Sequence, residues 1–265
     1  MDLPGVTEIA DPRTAAWRDG DAWLAGGTWL FSEPQPGVTR LLDLTALGWP
    51  SLRDDDDGGL EIGATCTLAE LARLPRRWPA AGLARQCCSA LLGSFKVQNM
   101  ATVGGNLCLA LPAGPMISLA AALDGTCLIW GADGAARRMS VADFITGAGT
   151  CALAPGEVLR SVHLPAPALA AATAFRRISL SPTGRSAAVV IGRRDPGGAV
   201  VITVTAATAR PVQVRFPRLP AEGDLLAALG AAGPRWQDDV HGAPAWRAAM
   251  TRRLALAVRA DLAAS

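Results

Sequence analysis

Two short glycine segments are the parts of the sequence that could most directly do chemistry. The first reads Leu24-Ala25-Gly26-Gly27-Thr28, and the second reads Ala101-Thr102-Val103-Gly104-Gly105-Asn106-Leu107. Glycine can take positive φ and lets a backbone approach a ligand closely, and successive N–H groups turned the same way form a concavity for phosphate oxygens. Two such loops could face each other across one diphosphate.

The spacing within these segments excludes two common nucleotide sites. Each segment alone is weak evidence, because a Gly-Gly pair is more often simply a turn. Neither segment matches Gly-x-Gly-x-x-Gly or the phosphate-binding P-loop, so a Rossmann cofactor site and an NTPase site both fail. It is the presence of both segments in one chain that indicates a phosphate-containing ligand.

Composition limits the classes of partner. The chain has 265 residues, of which 50% are hydrophobic and 18% charged, so it can bury a large core. Its 25 basic and 23 acidic residues are balanced and form no dense basic run with aromatics, which argues against nucleic acid. No apolar run approaches about 20 residues and no signal-peptide layout opens the chain, so we expect no membrane partner and a cytoplasmic location.

Other candidate groups indicate neither a catalytic residue nor a metal site. The consecutive aspartates Asp54 to Asp57 have no spacing between them and would repel rather than converge on a cation, so we interpret them as a solvated loop connecting two subdomains. His163 and His241 lack identifiable partners and are assigned structural or surface roles. Six cysteines without Cys-x-x-Cys spacing are expected to be small buried hydrophobes, so the chain should hold no iron–sulfur cluster of its own.

The pattern of elements predicts an α+β fold. Thr67 and Glu70 have the spacing of a capping box, and a second helix is expected from Pro79 to Gly93. Farther along, we expect a helix from Met116 to Leu123 and a strand from Thr126 to Trp130.

The last hundred residues have a pattern of their own. Leu164 to Pro167 suggests a boundary, and two β-branched runs at 187–192 and 199–206 suggest a hairpin. A C-terminal helix is predicted to bury one stripe. The stripe consists of Trp246, Met250, Leu254, Ala257 and Val258.

These segments give the sequence a resemblance to a known family, the FAD-binding subunits and domains of xanthine dehydrogenase and carbon monoxide dehydrogenase type molybdenum hydroxylases. The motifs occur in family order and cover nearly the whole chain. The resemblance is carried by Ala25-Gly26-Gly27-Thr28, Leu42-Asp43-Leu44, Leu60-Glu61-Ile62-Gly63-Ala64, Val97 to Leu107, Asp143 to Gly147, Leu153 to Leu159 and Ala174-Phe175-Arg176-Arg177.

The resemblance implies an architecture. It suggests an FAD-binding domain over residues 1–166, of the type also found in vanillyl-alcohol oxidase, with subdomains at about 1–55 and 56–166. A smaller α+β domain with an antiparallel sheet, similar to the C-terminal domain of carbon monoxide dehydrogenase flavoproteins, would occupy residues 167–265.

The resemblance also implies which residues bind FAD. Leu92 lies where an aromatic ring can stack on the cofactor, Leu159 matches an apolar residue near the flavin or adenine end, and Arg176 lies where relatives often carry lysine. The residues implied to line the diphosphate and ribityl chain are Ala25, Gly26, Gly27, Thr28, Trp29, Thr102, Val103, Gly104, Gly105 and Asn106.

One position departs from the family pattern. After Gly105-Asn106 relatives usually have Pro-x-x-Asp, whose carboxylate binds a cofactor hydroxyl, whereas this chain reads Pro112-Ala113-Gly114-Pro115. Losing one hydrogen bond costs roughly 0.5 to 1.5 kcal/mol if water replaces it. We therefore expect weaker FAD affinity than in relatives.

The function implied by the resemblance is electron transfer. Substrate would be oxidised at a molybdenum cofactor in a large partner subunit, and electrons would pass through [2Fe–2S] clusters of a small partner subunit to FAD in this chain and on to an external acceptor. A heterotrimer or a dimer of heterotrimers is expected. Two alternatives stay open, namely a stand-alone flavin oxidase and an assembly subunit that has lost tight FAD binding.

Overall fold

The computed structural model describes residues 3–265 of the chain. Strands in these residues form sheets of three, five, two and four strands, and short helices pack on them. The first sheet is parallel and the others are antiparallel. The predicted α+β class is confirmed.

The N-terminal sheet fixes the strand from which the first glycine segment leaves. Its strands are β1 (Glu8–Ala10), β2 (Asp21–Leu24) and β3 (Arg40–Asp43), in the order β1-β3-β2. The buried Arg40 donates from Nε and Nη2 to the two carboxylate oxygens of Asp21, at 2.8 and 2.7 Å. This bidentate pair lowers the pKa of Asp21 and holds β2 beside β3.

The second sheet has five antiparallel strands in the order β4-β5-β10-β6-β7. A separate two-stranded ribbon is formed by β8 and β9. The strands are β4 (Leu52–Asp54), β5 (Leu60–Gly63), β6 (Thr126–Trp130), β7 (Ala136–Ser140), β8 (Ile145–Gly147), β9 (Thr150–Cys151) and β10 (Val158–Leu164). The aspartate run lies in the β4–β5 hairpin, so the predicted connection between subdomains is wrong. The passage between the first two sheets lies upstream, between Asp43 and Leu52.

The helices between these strands form the main core. They are α1 (Leu68–Leu71), α2 (Ala81–Ala90), α3 (Phe95–Met100), α4 (Val103–Leu109), α5 (Pro115–Ala122) and α6 (Val141–Phe144), and a 3₁₀ turn spans Leu44–Leu47. The predicted capping box is confirmed, because Thr67 N donates to Glu70 Oε2 at 2.8 Å and Glu70 N donates to Thr67 Oγ1 at 3.2 Å. Every residue of α5 is buried, which places this helix at the centre of the core.

The C-terminal part is a four-stranded antiparallel meander with two helices on one face. Its elements are α7 (Ala166–Leu169), β11 (Ala172–Ile178), β12 (Ala188–Arg194), β13 (Val200–Thr205), β14 (Val212–Phe216), α8 (Glu222–Ala231) and α9 (Pro244–Ala264). The hairpin predicted from the β-branched runs is confirmed as β12 and β13. Although α9 has 21 residues, no helix within residues 3–265 is long and apolar enough to cross a membrane.

The C-terminal sheet is buried on both faces. Val190 and Ile202 pack toward the α9 side, whereas Ile191 belongs to the main core around α5. Polar contacts join the same layers, since Ser118 Oγ lies 2.6 Å from Thr205 Oγ1. The sheet is thus held between α5 and α9 by packing and by buried hydrogen bonds.

The stripe predicted to be buried on α9 is wrong by one position, because only Val258 of that set is fully buried. The residues that face the core are Arg247, Thr251, Ala255, Val258 and Leu262. A buried arginine explains the rotation, since Arg247 Nη1 donates to the carbonyls of Ala187 at 2.6 Å and Ala206 at 2.8 Å. Those buried carbonyls need donors, and this orientation of the helix supplies them.

The cysteines lie where the sequence analysis expected them. Cys66, Cys87, Cys88 and Cys127 are buried, Cys108 and Cys151 are half-buried, and all are free thiols. Burial raises the pKa of Cys66, Cys88 and Cys127 to about 12. These side chains stay protonated near neutral pH and act as apolar filling.

Candidate functional site

The first glycine segment forms an open turn at the end of β2. Gly27 has a φ of +68°, and the N–H of Phe31 closes the turn on the Gly27 carbonyl at 2.9 Å. Within residues 3–265, the backbone N–H groups from Gly26 to Trp29 have no hydrogen-bond acceptor. Free N–H groups around a residue with positive φ make an anion-binding concavity.

The second glycine segment is closed. The N–H of Val103 donates to Cys66 O at 2.9 Å and that of Gly104 donates to Ala64 O at 2.8 Å. The N–H of Gly105 donates to the hydroxyl of Thr102 at 3.0 Å, which caps α4. These N–H groups are therefore satisfied by the protein and hold α4 against β5.

The two segments meet through α3. A Cβ placed on Gly26 would lie 1.7 Å from the carbonyl oxygen of Met100, so only glycine allows this contact. Gln98 Nε2 donates to the carbonyl of Cys88 at 2.9 Å and ties α3 to α2. The first glycine segment thus contacts the C-terminal end of α3, which leads directly into the second segment, and we call the surface between the two segments and α3 the groove. That the two segments face each other across one diphosphate stays a prediction.

Asn106 and Pro115 lie at the start of the buried helix α5. Asn106 Oδ1 accepts from the N–H of Met116 at 2.9 Å and thereby caps this helix from a distance. Pro115 is buried at the first helical position, where the N–H that proline lacks would be unsatisfied in any case. The helix keeps its geometry, but the carboxylate of the family pattern is absent there.

A cleft of about 700 Å³ opens between α2 and β11. Leu92 lines it with a φ of 59° and a side chain that is 41% exposed. Of the residues predicted to bind FAD, Leu92 alone lines this cleft. Other lining residues are Pro79, Arg85, Gln86, Ser89, Phe175 and Arg177.

Leu159 and Arg176 do not reach the groove with their side chains. Leu159 is 2% exposed and packs in the main core. Arg176 Nη2 donates to Asp261 of α9 at 2.8 Å, and alternation along β11 turns Phe175 and Arg177 to the cleft instead. Arg177, like Arg85 of α2, is a cationic residue at the cleft that sequence reasoning missed, and the period-2 alternation of a strand is the signal that separates Arg177 from Arg176.

Five large apolar side chains are exposed on the elements that border the groove and the cleft, and the sequence did not predict them as a surface. They are Trp29 and Phe31 beside the first glycine segment, Phe95 and Met100 on α3, and Leu92 at the cleft. Their exposures run from 37% for Trp29 to 74% for Phe95. Contiguous exposed apolar groups indicate a surface for a ligand or a partner.

A comparison with known families identifies the family of the chain. Residues 13–167, more than half of the chain, match a family described as the FAD binding domain in molybdopterin dehydrogenase. The chain belongs to this family. The matched region includes both glycine segments, Leu92 and Leu159, whereas Arg176 lies beyond it.

Similar proteins include whole enzymes and subunits. Over 118 residues the chain is 30% identical to xanthine dehydrogenase 1 of Arabidopsis thaliana. This match covers 42% of the chain and 9% of that enzyme. Over 167 residues it is 28% identical to the nicotinate dehydrogenase FAD-subunit of Eubacterium barkeri, covering 60% of the chain and 55% of that subunit. The chain thus matches a small part of the plant enzyme and about half of the bacterial subunit.

Solved structures share the fold over nearly the full length. A chain of quinoline 2-oxidoreductase from Pseudomonas putida 86 superposes with a TM-score of 0.80 at 22% identity, covering 98% of both chains. A chain of carbon monoxide dehydrogenase from Hydrogenophaga pseudoflava gives a TM-score of 0.81 at 19% identity, covering 97% of both. The predicted α+β fold with antiparallel sheets therefore agrees with these known folds.

Proposed function

We propose that FAD lies along the groove bordered by the two glycine segments and α3, with its diphosphate on the backbone N–H groups from Gly26 to Trp29. The observation that carries this proposal is the run of N–H groups without an acceptor within residues 3–265. The Thr28 side chain is exposed beside them and adds a hydroxyl donor. Ala25 supplies backbone at the start of this turn.

The second segment contributes in a different way. Thr102, Val103 and Gly104 form the wall that holds α4 in place, while Gly105 is exposed and Asn106 is half-buried at the groove. We assign Gly105 and Asn106 to the ribityl chain. Because Pro115 replaces the family's aspartate, the hydroxyl groups of the ribityl chain have one acceptor fewer in the protein.

The remaining predicted residues belong to the ends of the cofactor. We propose that one ring system reaches Leu92 at the mouth of the cleft. Leu159 would contribute through its backbone because its side chain is buried. Arg176 would contribute only if its ion pair with Asp261 opened.

We propose that the chain serves as the electron-transfer subunit of a molybdenum hydroxylase. Bound FAD supplies redox chemistry in both one-electron and two-electron steps, and the protein supplies binding, orientation and electrostatic surroundings. Electrons would come from [2Fe–2S] clusters of a small partner subunit, which receives them from a molybdenum cofactor in a large partner subunit. An external acceptor would remove them.

The exposed apolar surface around the groove supports the proposed partners. Phe95 is 74% exposed and Met100 is 54% exposed, and both lie on the helix that borders the groove. A partner subunit seated there would bury these side chains and bring its cluster close to the flavin. We propose a heterotrimer or a dimer of heterotrimers, located in the cytoplasm.

The experiment that tests this function is an absorbance spectrum of the purified chain before and after addition of FAD. The nucleotide released by heat is then identified by chromatography. We expect a flavin band and released FAD, followed by reduction of that flavin by substrate only when the partner subunits are present. Turnover of a substrate by the chain alone would instead indicate a stand-alone flavin oxidase.

Pro115 favours one second candidate, an assembly subunit that has lost tight FAD binding. A colourless, folded chain that takes up no added FAD but still joins its partner subunits would support this role. The same result would contradict the electron-transfer proposal. Bound FAD with flavin reduction in the complex would exclude the assembly role as its sole function.

A further inference from the structure

The tip of the β4–β5 hairpin lies beside a histidine that is about a hundred residues away in the sequence. The hairpin's aspartates and this histidine together form a cluster that the aspartate run alone does not reveal. The N–H of Asp55 donates to Gly59 O and the N–H of Gly58 donates to Asp55 O, both at 2.9 Å, which closes the tip. On the neighbouring strand β10, His163 pairs in register with Glu61 and so lies next to this tip. Asp55, Asp57 and His163 each offer one ligand atom, all within 4.8 Å of one another.

The imidazole of His163 has an unsatisfied nitrogen at this position. Its Nε2 atom is buried and makes no hydrogen bond within residues 3–265, although it lies 3.2 Å from Asp55 Oδ2. Buried polar atoms nearly always have a partner, and an orphan needs an explanation. A positive ion among the three groups would satisfy the nitrogen and both carboxylates together.

The carboxylates are held in place by the backbone. Asp55 Oδ1 accepts from the N–H of Asp56 at 3.0 Å, and Asp57 Oδ1 accepts from the N–H of Gly59 at 2.8 Å. Neither bond involves an Oδ2 atom. Such outer hydrogen bonds orient ligands at metal sites.

Gly59 leaves space between the ligands. A Cβ placed on Gly59 would lie 2.5 Å from His163 Nε2 and 2.9 Å from Asp57 Oδ1. Zinc binds nitrogen and oxygen at about 2.0 to 2.2 Å, so ligand atoms around it are roughly 3.3 to 3.6 Å apart. The 3.2 Å between His163 and Asp55 is close to that spacing, and a small inward movement of Asp57 would complete the set.

We propose that Asp55, Asp57 and His163 bind a divalent first-row transition metal ion, with Zn²⁺ as the best fit. One imidazole and two carboxylates suit such ions better than Ca²⁺ or Mg²⁺, which take oxygen ligands. The ion clamps the hairpin tip to β10 just before the chain crosses to the C-terminal sheet. Gly58 already lies against that crossover, since a Cβ on it would be 3.5 Å from the Cβ of Ala166.

The test is calorimetric titration of the full chain with Zn²⁺ after removal of metals by a chelator, with thiols kept reduced. We expect one Zn²⁺ per chain and a rise in Tm when Zn²⁺ is present. His163→Gln and Asp55→Asn should each weaken binding at least about tenfold. Asp56→Asn is the matched control, because it removes the same charge from the same tip outside the ligand set and should bind Zn²⁺ as the unaltered chain does.

Gly59→Ala separates the metal site from general damage to the fold. It keeps all three ligands but fills the space between them, so it should also lose Zn²⁺ binding at least about tenfold. The new Cβ also lies 3.0 Å from the Leu164 carbonyl oxygen, so its Tm in chelator is measured beside that of the unaltered chain, and a loss of binding larger than the loss of stability assigns the effect to the metal site. A chain that binds no Zn²⁺ would overturn the proposal and leave a His163–Asp55 ion pair. Equal binding by the unaltered chain and His163→Gln would overturn it as well, because the metal would then be held elsewhere.

Discussion

The two glycine segments look alike in sequence but differ in the structure in whether their backbone N–H groups are hydrogen-bonded. In the first, the N–H groups from Gly26 to Trp29 have no acceptor within the described chain, and the threonine that follows is exposed. In the second, Thr102 and the N–H groups of Val103, Gly104 and Gly105 are all engaged within the protein. The first segment is open to a ligand, and the second holds α4 against the end of β5.

This difference teaches that a Gly-Gly pair alone does not identify an anion site. Gly104 is needed because a Cβ there would lie 2.6 Å from the Cβ of Ala64, whereas Gly27 is needed chiefly for its positive φ. A Cβ on Gly27 would also lie 2.7 Å from the ring of Phe31, but that ring is exposed and can turn aside. The first requirement concerns packing and the second concerns backbone conformation. We therefore predict that a change at Gly104 affects stability first and that a change at Gly27 affects FAD binding first.

The largest expected effect is that of Gly104→Ala. Its Cβ would overlap Ala64 and force α4 away from β5, which should lower the free energy of unfolding by about 1 to 3 kcal/mol. Urea denaturation measures this loss. Gly230→Ala is the control, because that exposed glycine in α8 has no neighbour within 4 Å and alanine favours a helix. Equal stability of the two variants would contradict the packing role.

Gly27→Ala should act on the cofactor. Alanine with positive φ costs about 1 to 2 kcal/mol, and the loop can avoid this cost only by turning its N–H groups away. We expect the Kd for FAD to rise about tenfold or more, measured by flavin fluorescence titration. Gly134→Ala, in a hairpin turn with a φ of +80° and no neighbour within 4 Å, carries the same backbone strain and should leave the Kd unchanged.

The two threonines give a direct comparison at similar size. Thr102→Val removes the cap of α4 and should lower the free energy of unfolding by about 1 kcal/mol. Thr28→Val removes an exposed hydroxyl and should leave stability unchanged while raising the Kd for FAD a few-fold. Thermal unfolding and FAD titration of both variants check that one substitution affects mainly stability and the other mainly FAD binding. The reverse pattern would contradict the assignment of the two segments.

Restoring the missing carboxylate at position 115 should increase the affinity for FAD. Pro115→Asp places an acid at the first position of α5, where the helix dipole favours it and where a ribityl hydroxyl could donate to it. We expect the Kd for FAD to fall by about 2- to 10-fold, which matches roughly 0.5 to 1.4 kcal/mol. Pro115→Ala controls for loss of the ring and should bind FAD no more tightly than the unaltered chain.

The smallest expected effect is a pH dependence of the stability of the contact between Glu157 and β2, the strand that leads into the first glycine segment. The guanidinium of Arg137 lowers the pKa of Glu157 from 4.5 to about 2, and the Glu157 carbonyl accepts from Trp23 Nε1 of β2 at 2.9 Å. Because the folded pKa is depressed, this contribution to stability is present above pH 4.5 and is lost as the pH falls toward 2. Thermal unfolding from pH 5 to pH 2 should show a shallower acid dependence for Glu157→Gln than for the unaltered chain.

Local chemistry predicted the elements that depend on a few neighbouring residues. The Thr67–Glu70 capping box, the strand from Thr126 to Trp130 and the helix that begins at Pro115 are within a residue or so of the prediction. Each follows from a cap, a turn or an apolar run that lies inside the element itself.

Features that depend on distant residues were missed. The buried face of α9 is set by Arg247, whose acceptors are the carbonyls of Ala187, just before β12, and Ala206, just after β13. The closed state of the second glycine segment depends on the carbonyls of Ala64 and Cys66. The aspartate run was interpreted without His163, which arrives from β10. None of these partners is marked by sequence spacing, because the tertiary fold brings them together.

The most direct test of the central claim is to compare the affinities of FAD and riboflavin for the unaltered chain and for Gly27→Ala. Riboflavin has the isoalloxazine ring and ribityl chain but no diphosphate, so the difference in affinity reports the phosphate contacts. We predict that FAD binds much more tightly than riboflavin, and that Gly27→Ala removes most of this difference while Gly134→Ala keeps it. Equal binding of FAD and riboflavin, or an unchanged preference in Gly27→Ala, would contradict the assignment of the first glycine segment to the diphosphate.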